Sequence, residues 1–386
     1  MAVILPLKSS EHGFSISNII SRFRSKKGSK PQKTEKRTHK SPIQDTRPPL
    51  VQSPLPLVLP QHQNTLPTLG WTTITFPRSS STPDLEHAAL GPHPLQTAYE
   101  DLFAASQAFF SLPATIKSQW KHKLGSEEGW SSIPGEKEFI TLRSLEYCPD
   151  VLLQPAKKYW DLMGAYLTNT LSRIENSLDL SNDTLTRFVG PCGYMQDTDE
   201  RKTATMLRLF RYEGWEEKVV AEPHADLGLL SVVVGNVPGL EVWDGRKFFD
   251  VEREVERAGM KGASMLAGRQ LERLSNGRYA AGGHRVVSYG TPPPIQAAGP
   301  TTGSEEKRYR FSIVFVLRAH EPVVIDSETL ETEITGKWEK SLKGITAGRM
   351  YEEIRGKHFN INIGVEEREK QRRKVQEEKE RRTKGS

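Results

Sequence analysis

His224 and Asp226 stand two residues apart in PHADLGLLSVVVG, at the head of an apolar, β-branched run that reads as a buried strand. Side chains at i and i+2 of extended backbone point the same way, so one metal ion can accept both. Sixty residues on, GGHRVVSYG places His284 at the head of another strand, and RYRFSIVFVLRAH carries Arg310 and Ser312 on one face of a third. Two imidazoles and one carboxylate are the ligand set of a non-haem ferrous site that leaves coordination positions open. A planar guanidinium beyond them can grip a carboxylate through two hydrogen bonds, and a hydroxyl at i+2 reaches the same pocket. Taken alone the H-x-D pair is a weak signal. With ten histidines and 48 acids in 386 residues, roughly one such pair arises by chance, and a strand-end histidine is more often structural than a ligand. An arginine on a strand is likewise ordinarily an exposed partner in a surface ion pair.

The elements that would position these groups follow from pattern and punctuation. Residues 1–66, rich in Ser, Pro, Lys and Gln, are expected to be disordered. Within them Ile16, Ile19, Ile20 and Phe23 have helical spacing beside Arg22 and Arg24. That pattern suits a mitochondrial presequence, a nuclear signal, a membrane-surface helix or a solvated basic linker. Residues 67–200 form an amino-terminal region: a strand in LGWTTITFP, then a helix over LQTAYEDLFAASQAFFSLPATIKSQW. After these come a loop and short strand in GWSSIPGEKEFITLRS, and a long helix from Val151 that Pro155 is expected to break. Residues 201–320 change texture to seven or eight short strands punctuated by Gly, Pro and Asn, the mark of an antiparallel sandwich or barrel. The Pro/Gly-rich loop Thr291–Lys307 has the length of a lid. Residues 321–365 read as a helical extension and 366–386 as a solvated, mixed-charge helical tail. The fold class expected is mostly β with flanking helices (α+β).

Net charge is +6, but residues 1–50 hold eleven Lys/Arg against three Asp/Glu, so the rest of the chain sits near −2. The basicity belongs to a tail, and a nucleic-acid partner is not expected. Two cysteines, Cys148 and Cys192, make at most one disulfide and suit a reducing compartment. No apolar run approaches the roughly 18 residues of a membrane span. The expectation is a soluble, monomeric cytoplasmic protein, with mitochondrion or nucleus as alternatives through the basic segment.

The run LERLSNGRYAAGGHRVV followed by RYRFS resembles the 2-oxoglutarate/Fe(II) dioxygenase superfamily, in its isopenicillin N synthase-like branch. The likeness extends from about Leu69 to His320 and takes in LFAASQAFFSLPATIK, PGEKEF and MLRLFRY. It implies a double-stranded β-helix (jelly-roll) core, with His224, Asp226 and His284 as iron ligands. Arg310 and Ser312, joined by the Tyr212 hydroxyl, would bind the distal carboxylate of 2-oxoglutarate. It further implies oxidation of a small organic metabolite of secondary metabolism by dioxygen, through hydroxylation, desaturation or ring closure, coupled to decarboxylation of 2-oxoglutarate to succinate. Phe210 stands where many members have Asn, Arg269 where an acid is common, and the Thr291–Lys307 loop is longer than usual. Retention of Asp226 argues against a halogenase. Two rivals remain at this point: an oxidase of the same fold that uses no 2-oxoglutarate, and a non-catalytic scaffold with a basic tail.

Overall fold

The computed structural model describes residues 45–76, 92–121, 127–213, 217–289, 309–358, 362 and 365–384. The helical spacing at Ile16–Phe23 and the loop Thr291–Lys307 lie outside these residues. Helix α1 (Thr65–Leu69) passes into strand β1 (Trp71–Phe76) through Gly70, whose φ of 77° ends a helix without a Cβ clash. Helices α2 (Pro94–Ser111) and α3 (Ala114–Lys117) follow, each started by a proline at or just before its first turn. Strands β2 (Gly129–Ile133) and β3 (Lys137–Leu142) form a hairpin, where a single strand was expected. Pro134 and Gly135, the latter at φ 76°, make the turn. Helix α4 (Asp150–Ser177) then runs unbroken through Pro155. The ring removes one bond near the helix start, to the carbonyl of the exposed Val151, where water can replace it.

The strand-rich part begins with β4 (Met206–Tyr212), β5 (Glu217–His224), β6 (Leu230–Gly235), β7 (Leu240–Trp243) and β8 (Phe248–Asp250). Helix α5 (Val251–Arg257), strand β9 (Lys261–Ala267), helix α6 (Arg269–Leu274), and strands β10 (His284–Tyr289) and β11 (Arg310–Leu317) complete it. The short pair β12 (Val324–Ile325) and β13 (Ile345–Thr346) and helices α7 (Ala347–Arg355) and α8 (Val365–Lys384) close the chain. One sheet has the order β1-β9-β6-β11-β4-β3-β2 and faces a smaller sheet, β5-β10-β7-β8. From β4 to β11 the chain shuttles between them, with every registered pair antiparallel. That is a double-stranded β-helix, extended by β1, β3 and β2 on the large sheet.

Period-two alternation builds two cores at once. Leu207 and Leu209 of β4, Val232 and Val234 of β6, and Ile313 and Phe315 of β11 face outward to a core shared with α2 and α4. There Trp160 meets Phe315 edge-on at 5.3 Å. The alternate residues Phe210, Tyr212, Val233 and Leu266 face inward and meet Leu240, Val242 and Val286 of the small sheet.

Three expectations need correction. Residues 45–66 are packed rather than disordered. Leu55, Val58, Leu59 and Leu66 are buried, and Arg47 Nη1 donates to the carbonyls of Asn276 and Thr335 at 3.0 and 2.7 Å. The apolar run in a Pro/Gln-rich context finds its surface only in the folded protein. The stretch VEREVERAG is a short helix capped by Asp250, whose side chain accepts from Arg253 N. The segment 321–365 is largely irregular, with α7 its one regular helix among the described residues. The last helix is docked, since Arg368 is buried and paired with Glu136 at 2.6 Å, while Arg372 pairs with Glu222. Basic residues at i and i+4 seat that helix although it lacks an apolar stripe. Both cysteines are buried and free. Among the described residues no helix is long and apolar enough to cross a membrane.

Candidate functional site

His284, the first residue of β10, lies directly across from His224, the last residue of β5, and their rings are 4.1 Å apart centre to centre. Asp226 follows β5 by two residues. Its Oδ1 is 3.9 Å from His224 Nε2 and its Oδ2 is 3.9 Å from His284 Nε2. The three side chains offer atoms that all lie within 4.8 Å of one another. With bonds of roughly 2.0–2.2 Å, a common ion can span gaps of this size.

The protonation of the rings is set by the backbone. His224 Nδ1 is 2.6 Å from the carbonyl of Glu222, and His284 Nδ1 is 3.1 Å from the carbonyl of Gly282. A carbonyl only accepts, so each Nδ1 carries the proton and each Nε2 presents a lone pair toward Asp226. Burial, and then the adjacent His284, push the His224 imidazole well below the usual histidine range, which keeps it neutral. Burial works to raise the Asp226 carboxyl, but His284 and His224 outweigh it and hold it below the ordinary value. Asp226 Oδ2 is buried without a hydrogen-bond partner. Two imidazoles that turn Nε2 toward a carboxylate with an orphaned oxygen fit a divalent transition metal. His284 is buried while His224 and Asp226 are partly exposed, so one side of the cluster is open.

Arg310, Ser312 and Tyr212 also come together. Arg310 pairs with Tyr212 across β11 and β4, its guanidinium 5.2 Å from the Tyr212 ring centre. Ser312 Oγ donates to the Tyr212 hydroxyl oxygen at 3.4 Å. Burial raises the Tyr212 phenol, so it stays protonated. Arg310 is 5% exposed, which excludes the surface ion-pair reading. Its Nη2 donates to Glu252 Oε2 at 3.0 Å, while Nε and Nη1 are buried without a hydrogen-bond partner. Gly239 makes the arginine's position possible, since a Cβ there would fall well inside contact distance of Arg310 Nε.

Glu252 escaped the sequence reading. It sits in the first turn of α5 and accepts from the backbone N–H of Gly239 and Leu240, at 2.9 and 2.8 Å, besides Arg310. Its signal in the sequence was one acid among five charges in VEREVER, where nothing marks the one that turns inward. Lys137 was missed too. It lies opposite Tyr212 on β3, its Nζ donating to Asn362 Oδ1 at 3.2 Å, and burial followed by Arg368 pushes its ammonium down to about 7. At the two positions that depart from the resemblance, Phe210 stacks on Tyr212 at 5.4 Å and Arg269 pairs with Glu272 at 2.6 Å.

No family model matches the sequence. Among curated proteins the chain is similar to the 2-oxoglutarate-dependent dioxygenase ecdK of Aspergillus rugulosus, 26% identical over 275 residues that cover 59% of this chain and 76% of that protein. Among solved structures its fold is shared by a full-length Neurospora crassa protein solved in complex with α-KG and 5-formyluracil. That match has a TM-score of 0.53 and 20% identity, covering 75% of this chain and 86% of that one. The rice dioxygenase for auxin oxidation matches with a TM-score of 0.50 and 18% identity, over 76% and 86% of the two chains. Taken with the jelly-roll connectivity, these likenesses show that the chain has the double-stranded β-helix fold of those structures and is similar in sequence to a 2-oxoglutarate-dependent dioxygenase.

Proposed function

We propose that this chain oxidises a small organic metabolite, with His224, Asp226 and His284 holding Fe(II) and Arg310 holding the distal carboxylate of 2-oxoglutarate. The observation that carries the proposal is the aim of the three groups. Both Nδ1 protons go to backbone carbonyls, both Nε2 lone pairs face Asp226, and the opposite side stays open. Bound Fe(II) would supply the redox centre at which dioxygen is reduced while 2-oxoglutarate is decarboxylated to succinate.

The protein's own share is positioning. Arg310 offers the donors that Glu252 leaves unused, and Ser312 and the protonated Tyr212 add hydroxyls to the same carboxylate. Phe139 and Phe210, with ring centres 5.5 Å apart, line the interior between the two ends and keep water from the reacting C–H bond. The relatives support a small-molecule substrate. The Neurospora protein is solved with 5-formyluracil and the rice enzyme is named for auxin oxidation. We assign the chain to the isopenicillin N synthase-like branch on LERLSNGRYAAGGHRVV and RYRFS.

The test is dioxygen uptake and succinate formation by the Fe(II)-loaded protein, with and without 2-oxoglutarate, across a metabolite panel. Succinate that appears only with Fe(II) and 2-oxoglutarate together is expected. Dioxygen uptake driven by a metabolite without 2-oxoglutarate would instead make this an oxidase.

A further inference from the structure

Strand register arranges the inner face of the large sheet in three rows. Lys137, Tyr212 and Arg310 make the first, Phe139, Phe210 and Ser312 the second, and Thr141, Arg208 and Val314 the third. The first row carries the pocket assigned to 2-oxoglutarate. Arg208 lies four residues along β4 from Tyr212, about 13 Å at the rise of an extended strand. That is too far to share the carboxylate held by Arg310. It is near enough to Asp226 for the two charges to act on one another.

Arg208 is 7% exposed, and burial works against its charge. Other inward or buried arginines of this sheet have a carboxylate each. Arg310 has Glu252, and Arg318 takes both oxygens of Glu127, at 2.5 Å from Nη1 and 3.3 Å from Nη2. Arg208 differs. Its Nε donates to Thr141 Oγ1 at 2.7 Å and its guanidinium lies 5.4 Å from the centre of the Phe139 ring. Among the described residues no acid stands within ion-pair distance of it, and its two terminal amino groups have no acceptor. Glu127 is committed to Arg318, and Asp226 to the histidine pair. Glu127 and Asp226 favour its charge from beyond ion-pair distance, but a buried cation without a directly paired carboxylate is costly, and an anionic ligand relieves that cost. The surfaces beside it, Phe139, Phe210 and Val314, are apolar and two of them aromatic.

We propose that Arg208 is a specificity-determining residue that binds the carboxylate of the primary substrate, which is therefore an organic acid with an apolar or aromatic body. This rests on the assignment of the triad and of Arg310 made above.

The test uses the full chain loaded with Co(II) in place of Fe(II) and saturated with 2-oxoglutarate. It is titrated calorimetrically with 3-phenylpropionate and octanoate and with their carboxamides. At least one acid should bind tenfold or more tighter than its amide. Arg208→Gln should remove that preference, weakening the acid at least tenfold while changing the affinity for 2-oxoglutarate by less than threefold. Arg208→Lys, which keeps the charge, should retain part of the preference and guards against misfolding of the first variant. Equal binding of acid and amide to the wild type, or binding of neither, overturns the proposal. So does an equal loss of acid and 2-oxoglutarate in Arg208→Gln, which would make Arg208 a co-substrate residue. If the wild type bound no 2-oxoglutarate, the underlying site assignment would fail, a result distinct from these.

Discussion

The two ends of the barrel solve opposite problems. On the proposed assignment, acceptors at the triad must be kept free for a cation, and the fold ties each Nδ1 proton to a carbonyl and leaves Asp226 Oδ2 without a donor. At Arg310 a cation must be kept inside an apolar barrel, and the fold neutralises part of it with Glu252 while leaving Nε and Nη1 unused. The first end is held mainly by backbone, the second by a buried carboxylate. Damage to the first should therefore be all-or-none, and damage to the second graded.

His224→Ala or Asp226→Ala should reduce turnover to below about 1% of wild type, since removing a ligand exceeds the roughly 10–100-fold cost of losing an outer partner. Residual turnover above that level would show that the third ligand is dispensable. Arg310→Ala should raise the apparent KM for 2-oxoglutarate thirtyfold or more, in line with about 2–5 kcal/mol for truncating one member of a buried charged pair. A change within about threefold would remove the co-substrate assignment. Glu252→Gln should act more gently, lowering stability by about 1.5–3 kcal/mol because three donors lose a charged acceptor. Its KM for 2-oxoglutarate should rise less than that of Arg310→Ala, and a larger rise would mean that Glu252 itself touches the co-substrate.

A separate, pH-dependent effect concerns Lys137, whose value of about 7 in the folded chain lies below the ordinary 10.5. Between those values the unfolded chain holds the extra proton, so the stability attributable to Lys137 rises with pH across that window. The advantage of Lys137→Met over wild type in denaturant melts should accordingly shrink from pH 7 toward pH 10. An advantage independent of pH would place the lysine outside this linkage.

The same contrast explains what could be read from the sequence. His224, Asp226, Arg310, Ser312 and Tyr212 lie on strands or at their ends, where a period of two makes the facing residues countable, and the resemblance joined them to His284. Glu252, Lys137 and Arg208 matter through partners that only the closed barrel brings near. In isolation LRLFRY reads as an apolar strand with two exposed cations, yet Arg208 points inward beside Phe139. The ends of the chain misled for a related reason. Composition described residues 45–66 and the last helix as solvated, but Leu55, Val58 and Arg368 are buried by surfaces that composition does not encode.

Metal stoichiometry under anaerobic conditions, by elemental analysis after equilibrium dialysis against Fe(II), bears most directly on the convergence of three distant side chains upon one ion. One iron per chain in the wild type is expected, falling to near zero in His224→Ala, Asp226→Ala and His284→Ala while each variant remains folded. A wild type that retains no iron, or single variants that retain it fully, would contradict that convergence.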